Sequence, residues 1–118
     1  MPIPHCVGAR HWPSRGLPFQ SAREVGSQVG SVEIATLKAR TAVLYRRNTK
    51  DFQDVVEGEG RFALLCIPNG VPLDGGVLLK AGEEIIGAIG VSGASDEADG
   101  DIGRLGAAIL SKQTKQAI

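Results

Sequence analysis

Two short apolar runs, residues 77–80 and 85–91, flank a turn at Ala81-Gly82, and this pattern confines the middle of the chain to a β-hairpin. Gly75-Gly76 bounds it on one side and the loop Ser92-Gly93-Ala94-Ser95 on the other. A lone two-stranded hairpin is marginal in water, so flanking elements must cover its faces.

The flanks supply helices. No Gly or Pro interrupts residues 32–47, and Ser31 is placed to cap a helix there, with Glu33 at its positive end. Ile34, Lys38, Thr41 and Tyr45 share one helical stripe. Ala35, Ala39, Ala42 and Val43 form an adjacent stripe small enough to lie close on a sheet. Asn48 or Thr49 is placed to cap a short second helix, residues 50–57, closed by Gly58 and Gly60. A last helix begins at Ser95 or Asp96, with Ala98, Ile102, Leu105 and Ile109 on one face and a polar tail from Ser111. Gly100, Gly103 and Gly106 lie inside it. Each costs about 1 kcal/mol relative to Ala, so a neighbouring backbone is expected to pack against them. Residues 62–67, Phe-Ala-Leu-Leu-Cys-Ile, lie between Gly60 and Pro68-Asn69-Gly70 and read as a buried strand, with Cys66 as a small buried hydrophobe.

Residues 1–30 are different. They hold four of the six prolines, both histidines and the one Trp, without helical or strand periodicity, and read as an irregular arm with a short extended piece near residues 17–20. His5, Cys6 and His11 lack the fourth ligand of a structural zinc site. One domain over residues 31–118 accounts for the rest. Lys plus Arg balance Asp plus Glu at 13 each, which argues against a general nucleic-acid binder and offers little repulsion against self-association. No segment approaches the ~20 apolar residues of a membrane span. The first residues carry no apolar signal core, and two cysteines make no disulfide framework, so a cytoplasmic protein is expected.

Three blocks carry a family resemblance. The first is Gly30-Ser31-Val32-Glu33-Ile34-Ala35, continuing through Lys38-Ala39-Arg40-Thr41-Ala42 to Arg46-Arg47-Asn48-Thr49. The second is Val71-Pro72-Leu73-Asp74-Gly75-Gly76. The third is Ile85-Ile86-Gly87-Ala88-Ile89-Gly90-Val91-Ser92-Gly93. Their order and spacing resemble the GlcG/HbpS-like family, which includes haem-binding proteins. The resemblance implies an α/β (α+β) fold of profilin-like kind, an antiparallel sheet flanked by helices, and assembly into oligomers. Family members carry a helix and a hairpin before the first block, and residues 1–30 do not look like them. The chain therefore resembles an N-terminally truncated member, with a sheet edge and an apolar face needing cover.

The resemblance implicates the first helix in haem binding. On that reading Lys38 meets an anionic group, Thr41 acts as hydroxyl donor or weak ligand, and Tyr45 forms a stacking wall. The blander reading is a snorkelling Lys, a Thr bonded to its own backbone and a half-buried Tyr. Gly90, Ser92 and Gly93, before a helix N-terminus, suit a carboxylate such as a haem propionate, or else merely turn the chain. Gly75 and Gly76 would complete the pocket rim. The basic stretch Arg40, Arg46, Arg47 and Lys50 is followed at once by Asp51, Asp54, Glu57 and Glu59, which favours mutual pairing on a solvated face. No nucleophile–base pair is visible: around Ser92 the second glycine of a nucleophile elbow is missing. The expectation is a non-enzymatic, oligomeric protein binding haem or another tetrapyrrole-like or anionic small molecule. The alternative is a truncated oligomerisation or interaction module without a small-molecule ligand.

Overall fold

The computed structural model describes residues 29–117. The expectations for residues 1–28, including the His5, Cys6 and His11 cluster and the extended piece, lie outside the described residues. The element order is helix α1 (Val29–Tyr45), helix α2 (Thr49–Glu59), a 3-10 turn η1 (Phe62–Cys66), strands β1 (Gly76–Ala81) and β2 (Glu84–Gly90), and helix α3 (Asp96–Ala117). This is an α+β arrangement in which an antiparallel hairpin is layered between α1 and α3.

The hairpin pairs Gly76 with Gly90, Val77 with Ile89, Leu78 with Ala88 and Leu79 with Gly87, then slips by one residue between Leu79 and Lys80. Its two-residue turn is Gly82-Glu83, one position later than expected. Gly82 takes the positive-φ first position, at φ 65°. Because side chains alternate along a strand, the hairpin has two distinct faces. Leu78 and Ala88 meet Ala39, Ala42 and Val43 of α1, so the small-residue stripe packs as the sequence predicts. Leu79, Ile89 and Val91 meet Ile102 and Ala107 of α3 on the other face.

The outer edge of β1 is closed by side chains from the α1–α2 corner. Asn48 Oδ1 accepts the amide of Leu78 at 2.9 Å. Thr49 Oγ1 accepts the amide of Gly76 at 2.8 Å and donates to its carbonyl at 3.4 Å. Asn48 stands at the N-cap of α2 but makes no capping bond with its side chain, which is spent on the strand instead. Phe52 and Val56 are the buried apolar face of α2.

Four expectations are corrected. Helix α1 is already helical at Val29, so Ser31 lies within its first turns and Gly30 is accommodated with open space beside its α-carbon. Helix α3 runs on to Ala117, since residues 111–117 contain no Gly or Pro to stop it. The glycine face of α3, not the Leu105 and Ile109 face, turns to the hairpin. Gly100, Gly103 and Gly106 leave room for Asp74, Val77 and Ile89, largely side chains rather than backbone, while Leu105 and Ile109 are 64% and 50% exposed. Finally, residues 62–67 form no strand. Both sheet faces beside them are already taken by helices, and the run folds into η1, where Phe62 is 66% exposed, Leu65 56% exposed, and Cys66 also at the surface.

Candidate functional site

Lys38 is expected to present its charge to a ligand, and the structure gives that charge a different use. The side chain is 1% exposed, and Nζ donates to Asp99 Oδ2 and to the carbonyl of Val91, each at 3.1 Å. Asp99 Oδ1 in turn accepts the amide of Ala94 at 3.0 Å. Moving an ion out of water costs several kcal/mol even after relaxation, so a buried lysine needs such a partner set. Gly75, at φ 128°, leaves room for the aliphatic stem and the ammonium. Lys38 thus ties α1 to the exit of β2 and to the start of α3, and it is not a snorkelling residue either.

Thr41 is buried and fully engaged. Its hydroxyl donates to the carbonyl of Leu37 at 2.6 Å, with the Asn69 carbonyl 3.3 Å away, and accepts the amide of Val71 at 3.0 Å. The backbone-bonded reading is borne out, and the residue also anchors the loop before Asp74. Tyr45, at the end of α1, stacks edge-on against Phe52 with ring centroids 5.8 Å apart and stays partly exposed. Gly76 and Gly90 let the hairpin press onto α1: a side chain at Gly76 would meet the Lys38 carbonyl, and one at Gly90 the Ala35 carbonyl. Lys38, Gly75, Gly76 and Gly90 therefore meet in a packed seam, and a tetrapyrrole does not fit between them.

The loop of Gly90, Ser92 and Gly93 leads to a helix start supplied with its own acceptors. Asp99 takes the Ala94 amide, and Ser95 Oγ takes the Ala98 amide at 3.2 Å. Asp96, Glu97 and Asp99 already place negative charge in the first turn. A second anion is disfavoured there.

Two concave regions lie elsewhere among the described residues. A polar cleft of about 270 Å³ opens between α2, the loop at Asp74 and the first turns of α3. Arg104 crosses it, with Nη1 3.2 Å from Asp74 and Nη2 2.9 Å from Asp101. Asp101 first, then Asp74, hold the guanidinium pKa above its ordinary value against the opposing effect of burial. Gln53 Oε1 accepts the Asp74 amide at 2.6 Å, and Lys50 pairs with Asp54 at 3.3 Å. Asp74 lies within the second sequence block, whereas no local pattern in the sequence marks Arg104 or Gln53. The second region is a hollow of about 290 Å³ lined by Val43, Leu44, Arg46 and Ile85, where the end of α1 passes the start of β2.

The sequence matches the family model described as haem degrading protein HbpS-like over residues 14–108. The chain belongs to the HbpS-like family. Protein GlcG of Escherichia coli K12 is 42% identical over 79 residues, 67% of this chain, and the chain spans 58% of the length of GlcG. The solved structure of HbpS is 28% identical and superposes with a TM-score of 0.76, covering 92% of this chain and 73% of HbpS. A double mutant of Streptomyces reticuli HbpS is 30% identical, with a TM-score of 0.74 over 86% of this chain and 72% of its own. PduOC, solved as a complex with haem, is 27% identical with a TM-score of 0.71, covering 98% of this chain and 79% of PduOC. In this HbpS-like chain no described helix is long and apolar enough to cross a membrane. The described residues also hold no group of three or more His, Cys, Asp or Glu placed to bind a metal ion.

Proposed function

We propose that this chain is a haem-binding or tetrapyrrole-binding protein that holds its ligand without transforming it and works as a homo-oligomer in the cytoplasm. The observation that carries the reading is the likeness to PduOC, a haem complex that superposes on 98% of this chain. Haem would bring its iron and its two carboxylates; the chain contributes binding and orientation. The packed seam of Lys38, Gly75, Gly76 and Gly90 has no room for it, so those residues act as a frame and the ligand lies on the surface, near Tyr45. A flat tetrapyrrole lying on one protomer keeps its other face in water, and a second copy would cover that face. Exposed Leu44, Phe62, Leu65, Leu105 and Ile109 favour such self-association.

The exposed run of Phe62, Ala63, Leu65 and Cys66 favours a second reading, an interaction module with no small-molecule ligand. Titration of the full chain with haem separates the two. A saturable shift of the Soret band with micromolar or tighter affinity supports binding. A spectrum identical to free haem at every ratio overturns it in favour of the interaction module.

A further inference from the structure

We infer that the hollow formed by Val43, Leu44, Arg46 and Ile85 is a ligand site for an amphiphilic carboxylate, with Arg46 as the partner of the carboxylate group. The assignment takes its ligand, haem, from the function proposed above, while its position comes from the geometry alone. Three apolar side chains line the hollow and one cation borders it. That is the chemistry of a molecule with an apolar body and a carboxylate edge.

Arg46 makes no ion pair among the described residues, a state it shares with Arg47, Arg61 and Lys80, whereas both cations of the α2–α3 cleft, Lys50 and Arg104, are paired with carboxylates. Its backbone is also left-handed, at φ 57°, directly after the last residue of α1, and Arg47 closes the helix by donating to the carbonyl of Ala42 at 3.1 Å. Glycine is the usual residue at that position. A chain with 16 glycines has placed an arginine there despite the strain. The left-handed turn fixes where the side chain leaves the helix, beside the apolar wall of Leu44 and Ile85. A guanidinium so placed can take a carboxylate with two parallel hydrogen bonds.

The arrangement makes a separable test, because Arg46→Gly removes the cation and relieves the backbone together. The melting temperature should rise by roughly 2–5 °C, while haem affinity should fall by about ten-fold or more. Lys50→Ala, which removes a charge outside the hollow, should leave affinity unchanged. The dimethyl ester of haem, which has no carboxylate, should bind the unaltered chain as weakly as haem binds Arg46→Gly. Haem affinity in Arg46→Gly equal to that of the unaltered chain overturns the assignment and leaves the proposed function standing. Absence of any Soret change in the unaltered chain overturns the proposed function instead. Dodecanoate then decides the hollow by amide NMR: shifts at residues 43–46 and 85 that vanish in Arg46→Gly support it, and no shifts there overturn it.

Discussion

Lys38 Nζ and Asp99 Oδ2 lie 3.1 Å apart, although 61 positions separate them in sequence, and both side chains are almost wholly enclosed. This contact fastens the two helices to each other through the end of the hairpin, because Lys38 also donates to the Val91 carbonyl and Asp99 accepts the Ala94 amide. Hydrophobic contacts hold each helix to its own face of the hairpin; the ion pair sets how the two helices stand with respect to each other.

Removing one partner leaves the other charge buried. Lys38→Met or Asp99→Asn should therefore each destabilise the domain by roughly 3–5 kcal/mol. The double variant should be less damaged than the sum of the two, since no lone charge remains. Urea unfolding followed by circular dichroism gives the cycle. Additive effects would show that the pair does not act as a unit.

Glycine substitutions should divide by position. A β-carbon at Gly90 would run into the Ala35 carbonyl, backbone that cannot yield without moving α1 off the hairpin. Gly90→Ala should cost about 2–3 kcal/mol. Gly58 lies within α2 with nothing near its α-carbon. Gly58→Ala should stabilise by about 0.5–1 kcal/mol. Thermal melts of the two variants should move in opposite directions from the parent.

Much of this fold is written locally. The alanines of α1 face the hairpin because their spacing is helical and their volume is small, both readable from the sequence. The hairpin follows from its alternation and its glycine turn. What local pattern cannot carry is competition for space. Leu105 and Ile109 are as apolar as any core residue, yet the three glycines of α3 give the closer approach and win the face. Residues 62–67 look like a buried strand because nothing in them records that α1 and α3 already occupy both faces of the sheet. The candidate site suffered likewise: a lysine on a helical stripe is readable, but its partner at Asp99 is set by tertiary packing.

Asn48 separates capping from strand closure. If its role were to cap α2, serine would serve nearly as well. Its carboxamide oxygen instead reaches the Leu78 amide at 2.9 Å, beyond the shorter serine side chain. Asn48→Ser should thus cost about 1–2 kcal/mol by leaving a half-buried amide unsatisfied. Hydrogen exchange at Leu78 should quicken in the variant while α2 amides stay as protected as before.

The exposed apolar run makes the last prediction. Phe62 and Leu65 bury little of themselves within the chain, so Phe62→Ser with Leu65→Ser should change stability by under about 0.5 kcal/mol. Core residues of a strand would instead cost several kcal/mol each. If this run is where copies meet, the same double variant should shift sedimentation toward smaller species. Cys66 sits in the run with its thiol at the surface. In the double variant an aromatic disulfide reagent should label it at the rate of a free exposed thiol, with the label mapped by mass spectrometry. In the parent, association should slow that labelling increasingly as protein concentration rises. Equal rates at all concentrations would place the contact between copies elsewhere on the surface.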